Sequence, residues 1–280
     1  VALGYIPVED SDTAASSTLE YAYDDGAASI IAAFVGATAD AATWHNRSLF
    51  YRNVFDAASG QMCPRSANGS FVCPWAFAVP FFLADGFVEG DAVQYQTFAP
   101  TEQAGVVALF PSPDAYVAAL NALQANQAGY PFVLHTRSHN NVLPNSWYWA
   151  GNEPDILAVW QFPAAGNAYA NYTQYWSRWI LQYYFTELSD GVPGNDDFGT
   201  MSAWAVFAYL GLYPITGTGT YVLGSPSFAT IAVTLPAAFG GNVLNVVAHN
   251  ASVNNVYVAG ASVNGVALPT PYVNHSALFP

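Results

Sequence analysis

From Thr13 to about Gly211, apolar residues recur near the 3.6-residue spacing of amphipathic helices, and loops rich in Gly, Pro and Asn separate the segments. That pattern constrains the fold more than any other feature. Thr18 to Val35 is the clearest case, with Leu19, Ala22 and Tyr23 followed by Ile30, Ile31 and Phe34. Asp40 to Phe55 follows, with Trp44, Leu49, Tyr51 and Phe55 as its large apolar members. Further helices are predicted over Thr101 to Phe110, Pro113 to Asn126, Ala168 to Thr186 and Phe198 to Leu210. Asp114 and Asp197 stand at two of these helix starts, where a carboxylate suits the exposed amides. After Pro214 the texture changes: Tyr221 to Leu223, Thr230 to Leu235, Val243 to Ala248, Val256 to Val258 and Ser262 to Leu268 are short β-branched runs, predicting an antiparallel β segment. The boundary is placed near Gly217-Thr218-Gly219, giving a helical portion over 1–216 and a β segment over 217–280.

Of 280 residues, 53% are hydrophobic, enough for a sizeable core. Five basic side chains, all arginine, stand against 19 acidic ones, for a formal net charge of −14. Such a surface repels phosphate backbones, which excludes nucleic acid as the expected partner. The longest apolar stretch, Phe71 to Val88, is broken by Pro74, Pro80 and Asp85, so no membrane span is expected. The opening Val1-Ala2-Leu3-Gly4-Tyr5 has neither the basic start nor the apolar core of a signal peptide. Yet Asn-X-Ser/Thr sequons at Asn46, Asn68, Asn171, Asn250 and Asn274 point to a secreted, glycosylated chain. Cys63 and Cys73, ten residues apart around Asn68-Gly69-Ser70, read as a disulfide-closed loop, with two buried thiols as the alternative.

Acidic residues are scarce, so their grouping on loops is informative. Glu89-Gly90-Asp91, Gly151-Asn152-Glu153-Pro154 and Pro193-Gly194-Asn195-Asp196-Asp197 each join carboxylates to residues that turn the chain sharply. Together they supply a general acid, a general base and hard oxygen ligands of the kind Ca²⁺ takes. Glycoside hydrolysis needs a protonated carboxyl for the leaving group and an ionised one to activate water. Glu89 follows Phe87-Val88, whose desolvation is expected to raise its pKa, whereas Asp197 beside a helix start is expected to stay ionised.

The sequence resembles the calcium-dependent exo-α-mannosidases of glycoside hydrolase family 92. The likeness runs in order through Thr18-Leu19-Glu20-Tyr21-Ala22-Tyr23-Asp24-Asp25, Tyr51-Arg52-Asn53-Val54-Phe55-Asp56, Met62-Cys63-Pro64-Arg65 and Glu89-Gly90-Asp91-Ala92-Val93-Gln94-Tyr95. It continues through Gly151-Asn152-Glu153-Pro154, Asp190 to Asp197, Met201-Ser202-Ala203-Trp204, Gly211-Leu212-Tyr213-Pro214, Gly224-Ser225-Pro226 and a final Val263-Asn264-Gly265 strand. The resemblance implies a mainly α fold, part of an (α/α)6 barrel followed by a small antiparallel β segment. The N-terminal β-sandwich and early barrel helices would be absent from this chain, and an N-terminal segment or second chain would complete the fold. It also implies mannose-containing glycans as substrates, Glu89 as general acid, Asp197 as general base, and Ca²⁺ held around Asn152, Glu153 and Asp197. Asp25, Arg65, Asn195 and Asp196 match substrate-binding positions. Three departures touch leaving-group recognition: Gly26 replaces a usual tryptophan, Val93 an aromatic residue, and Ile156-Leu157 the histidines common after the GNEP motif.

Trp147, Tyr148 and Trp149 could stack on a sugar or pack in the core, whereas Trp176, Trp179 and Tyr183 lie at helical spacing and read as core. The rival reading from another class is a non-catalytic secreted glycoprotein that uses the same fold as a sugar-binding or structural module.

Overall fold

The structure, a computed structural model, describes residues 2–73, 83–128, 147–189 and 191–279. It is mainly helical with small antiparallel sheets. Its described residues form two compact units, the first ending at Ala158 and the second beginning at Val159. Half of the apolar run expected over 71–88 lies outside the described residues, and no helix among the described residues is long and apolar enough to cross a membrane.

In the first unit, α1 (Ala14–Phe34) packs along α2 (Thr38–Ser48) as a helical hairpin turned at Gly36. The α1 face that carries Leu19, Ala22, Asp25 and Gly26 is buried, while Tyr21, Ile31, Phe34 and Val35 are exposed. Gly26, where the resemblance leads one to expect tryptophan, has a reason to lack a side chain here: a Cβ would stand 2.8 Å from Thr101 Oγ1. The helix expected over 40–55 ends early. Ser48, almost wholly buried, turns its hydroxyl onto the His45 carbonyl and so competes with the helical ladder. One 3-10 stretch, Leu49–Val54, leads into β1 (Phe55–Asp56), which pairs with β2 (Gln61–Met62). The Asp56 carboxylate closes that hairpin by accepting from Ala58 N and Ser59 N. Cys63 follows and is disulfide-bonded to Cys73.

The element that places the candidate site is a second hairpin, β3 (Leu83–Ala84) with β4 (Phe87–Val88). Its two-residue turn, Asp85-Gly86, has φ of 39° and 99°, the left-handed pair that matches the twist of antiparallel strands. The turn sits on the start of α1. Gly86 O accepts from Ala15 N at 3.0 Å and Ser16 N at 3.1 Å, amides that a helix cannot satisfy internally, and Gly86 N donates to Asp12 O at 2.9 Å. Ser16 Oγ accepts from Val88 N at 3.0 Å, so β4 is tied to the same turn of helix. The unit is completed by α3 (Gln103–Val107), α4 (Pro113–Ala128) and the single turn α5 (Glu153–Ile156), around a core that includes Leu19, Tyr51, Met62, Phe87 and Tyr95.

The second unit contains α6 (Ala170–Tyr184) and α7 (Thr200–Leu210). Trp160, fully buried, stacks on Tyr213 at 4.8 Å, and Trp204 stacks on Phe185 at 5.4 Å. Trp176 is core as expected, whereas Trp179 and Tyr183 are half-buried. α7 stops at Gly211, whose φ of 73° and closeness to Pro226 both require glycine. The chain then runs into β5 (Leu212–Pro214), which pairs with β6 (Thr220–Leu223), itself paired with β11 (Tyr272–Asn274). Between these strands in sequence lie the ribbon of β7 (Thr230–Thr234) with β8 (Val243–Val247) and the short hairpin of β9 (Ser262–Val263) with β10 (Val266–Ala267). Two expectations fail here. Val256 to Val258 forms no strand, because Val258 N donates to the Gln174 side chain at 3.0 Å rather than to a neighbouring backbone. Val263-Asn264-Gly265 is not a strand either: Asn264 and Gly265 form the turn, with φ of 51° and 83°.

Gly86 generates a test. A Cβ there would lie 2.1 Å from Pro64 Cγ, and alanine is strained at that φ. Gly86→Ala is expected to destabilise the protein by about 2–4 kcal/mol in urea denaturation, through overpacking added to backbone strain.

Candidate active site

Glu89 leaves β4 in a left-handed conformation, φ 50°, which is uncommon for any residue with a side chain and costs about 1–3 kcal/mol unless its surroundings impose it. The surroundings are visible. On one side the Val88 carbonyl accepts from the Tyr95 hydroxyl at 3.1 Å. On the other, the Glu89 carbonyl accepts from Asn152 Nδ2. Gly90 comes next, with no room for a Cβ against Tyr95 Cε2 at 2.9 Å. Asp91, buried, then accepts from Val93 N at 2.8 Å and Gln94 N at 3.0 Å, fixing the following turn. The expected desolvation by Phe87-Val88 does not occur within the chain. Phe87 points into the core while Glu89 turns outward and is exposed.

The 147–155 segment faces this loop. Trp147 O accepts from Gln94 Nε2 at 2.9 Å. Tyr148 is core, not a stacking platform, and Trp149 is half-buried. Asn152 is only 1% exposed, whereas Glu153, at the start of α5, is exposed. Negative charge accumulates nearby. Burial, and then Asp24 and Glu153, push the Glu20 carboxyl up to about 7. Burial drives the Tyr95 hydroxyl strongly upward, with Glu20, Glu153, Asp155 and Glu89 adding to it in that order. Asp155 is wholly buried, and desolvation raises its pKa well above the carboxylate range, with Asp91 adding to the effect. The sequence reading assigned no role to Glu20, Tyr95 or Asp155. For Asp155 a signal existed, since it is the carboxylate directly adjoining the apolar run Ile156-Leu157-Ala158-Val159-Trp160.

In the second unit, Asn195, Asp196 and Asp197 precede α7. Asp196, rather than Asp197, serves the helix start. Its Oδ1 accepts from Ser202 Oγ at 2.6 Å and Ser202 N at 3.0 Å, and those bonds lower its pKa. Asp197 uses only its carbonyl locally, accepting from Thr200 N at 3.1 Å. Its carboxylate is exposed on a backbone with φ 47°, and Phe198 beside it has φ 59°. Asn195 is exposed next to them.

Two further candidates have internal partners. Asp25 is ion-paired with Arg47 Nε at 2.9 Å. Arg65 donates to Gly69 O at 2.8 Å and Asn53 O at 3.1 Å, its guanidinium flanked by Tyr5 and Phe71. Among the described residues, Asp56, Cys63 and Cys73 bring three metal-type ligand atoms within 4.8 Å, but both sulfurs belong to the disulfide. The donors around Asn152 and Glu153 are instead hard oxygens in a surplus of negative charge, which fits a divalent cation of the calcium type.

Residues 1–279 match the family model for the glycosyl hydrolase family 92 catalytic domain. An uncharacterized secreted glycosidase of Arthroderma benhamiae is 25% identical over 266 residues, covering 84% of this chain and 31% of that protein. Among solved structures, a family 92 α-mannosidase of Bacteroides thetaiotaomicron in complex with mannoimidazole superposes with a TM-score of 0.84 at 26% identity. That match covers 99% of this chain and 36% of the other. A family 92 inverting mannosidase of the same species gives a TM-score of 0.81 at 26% identity, over 99% of this chain and 37% of that one. The chain thus spans about a third of the length of these relatives. With nearly all of its residues matched by the family model, the chain belongs to glycosyl hydrolase family 92, within the catalytic domain.

Proposed function

We propose that this chain is the part of a secreted, calcium-dependent α-mannosidase that carries its general acid, Glu89, and general base, Asp197. The observation that supports the reading is conformational. The two carboxylates that the sequence motifs single out both sit on left-handed backbone, at φ 50° and 47°, and both side chains are exposed. Strain at two such positions suits side chains held for chemistry rather than for packing. Family membership and the relatives named mannosidases support terminal α-mannosides of glycans as the substrate class.

In the proposed reaction Glu89 donates its proton to the departing glycosidic oxygen, while Asp197 removes a proton from water attacking the opposite face of the ring. Attack by water on the face opposite the leaving group inverts the anomeric centre, and the product would be β-mannose. Asn195 is the proposed sugar contact of the Asp197 loop. Glu89→Gln is expected to lower kcat about 10²- to 10⁴-fold on α-mannosides with poor leaving groups, and less on activated aryl mannosides. NMR of the first-formed anomer tests the stereochemistry, and α-mannose as initial product would overturn the role given to Asp197.

Oxygens of Asn152, Glu153 and Asp197 are the proposed calcium ligands. Bound there, the ion would contact adjacent sugar hydroxyls and stabilise the flattened ring of the transition state. Glu20 supplies a test besides activity. Its carboxyl titrates at about 7 in the folded chain against an ordinary 4.5, so the folded state holds its proton more tightly. Metal-free protein should therefore be most stable below about pH 4.5 as far as Glu20 is concerned, and lose that contribution as pH rises to about 7. The contribution is about 1–2 kcal/mol after discounting for partial exposure. Glu20→Gln should flatten the fall in thermal stability over this window. Added Ca²⁺ should stabilise the wild type more at pH 7.5 than at pH 5, and EDTA should abolish activity. Equal stabilisation at both pH values would count against a cation beside Glu20.

Secretion is supported by the disulfide and by the exposure of all five sequon asparagines, Asn46, Asn68, Asn171, Asn250 and Asn274. The exposed apolar side chains of α1, Phe34 and Ile31 above all, suit cover by a further segment or second chain. Enzymatic removal of N-glycans from the secreted protein should convert occupied sequon asparagines to aspartate in peptide mass spectra. Five unmodified asparagines would remove the glycoprotein reading.

A further inference from the structure

We propose that Asp155 is a positioning residue for Glu89, acting through Asn152. This rests on the reading of Glu89 as the general acid. Asp155 is wholly buried, where a carboxyl is costly unless its placement serves something else. Its Oδ2 accepts from Trp149 N at 2.8 Å, and its own amide donates to Asn152 O at 3.1 Å. Asn152 N in turn donates to Trp149 O at 3.1 Å. Three short bonds thus close the segment 149–155 into one rigid turn, with the buried carboxyl as its internal brace. The outward product of that turn is the Asn152 side chain, which holds the Glu89 carbonyl.

Position is what the arrangement controls. A residue with a side chain keeps φ 50° only while its flanking peptides are held, and here the Val88 and Glu89 carbonyls are gripped by Tyr95 and Asn152 respectively. The Tyr95 grip belongs to the same loop as Glu89, and the Asn152 grip is the one that comes from another segment. Asp155 braces that second grip without contacting Glu89. It therefore sets where the acid's carboxyl points, and catalysis falls steeply with small errors in such placement.

The experiment uses the full-length protein with Asp155→Val, Asp155→Asn and Glu89→Gln, assayed on a methyl α-mannoside and on an activated dinitrophenyl α-mannoside. Valine is close to Asp155 in shape, removes the buried carboxyl without the cavity that alanine would leave, and deprives Trp149 N of its acceptor, which is the change under test. Asp155→Val is expected to lower kcat on the methyl glycoside at least about tenfold with little change in KM, and much less on the dinitrophenyl glycoside. Asp155→Asn keeps an acceptor for Trp149 N and is expected to stay within about threefold of wild type on both. An equal loss on both substrates, or none, overturns the proposal when Glu89→Gln itself discriminates between them. If Glu89→Gln does not discriminate, the acid assignment has failed instead, and a crystal structure of Asp155→Val decides the positioning claim. Glu89 relaxed from left-handed φ supports it, and Glu89 unmoved overturns it.

Discussion

The hydrogen bond from Asn152 to the Glu89 carbonyl is the contact on which the rest of the first unit's functional geometry depends. It joins two loops 63 residues apart in sequence, and it does so at a peptide whose conformation is unfavourable alone. Everything upstream prepares that peptide. The amides at the start of α1 bind the Gly86 carbonyl, which fixes the β3–β4 turn, which in turn delivers β4 and leaves Glu89 at its end. Glycine is required at the turn because Pro64 occupies the space of a side chain, so the hairpin has little freedom to slide.

Around this contact the protein concentrates acids in a poor solvent for charge. Asp91 and Asp155 are buried beside the equally buried amide of Asn152, and Glu20 and Tyr95 are shifted upward by burial first and by neighbouring carboxyls second. A core built only for stability would place apolar residues there, since neither desolvation nor like-charge repulsion is recovered by packing. The disposition makes sense where hard oxygens must converge and where side chains must be aimed without recourse to flexible surface contacts. It also explains why the motif loops are rich in glycine: Gly90 gives Tyr95 its approach to the Val88 carbonyl.

Much of this was legible in the sequence. Helical spacing located the long helices to within a few residues, because α1, α4, α6 and α7 bury one face against the rest of their unit and the pattern records that face. Failures fell where a side chain diverts the backbone. Ser48 turning onto His45 ended a helix that periodicity alone would extend, and the Gln174 side chain captured Val258 from a strand. The loop acids were found by scarcity and by family likeness, but their division of labour was not. Asp196 and Asp197 are adjacent and chemically alike, and only the bond from Ser202 shows that the first caps α7.

That division has a physical logic. A carboxylate that caps a helix gives its lone pairs to fixed amide and hydroxyl donors, which lowers its pKa and its value as a base together. Assigning the cap to Asp196 leaves Asp197 without those donors, while its carbonyl, bonded to Thr200, still anchors it to the helix start. The left-handed turn through Asp197 and Phe198 then directs two consecutive side chains outward, at a backbone cost that the Asp196 cap and the Thr200 bonds sustain. Glu89 and Asp197 thus reach the same condition by different means, one held through a partner loop and the other through its own helix. In each case the strained residue bears the exposed carboxylate, and the residues around it take up the structural bonding that would otherwise tie that carboxylate down.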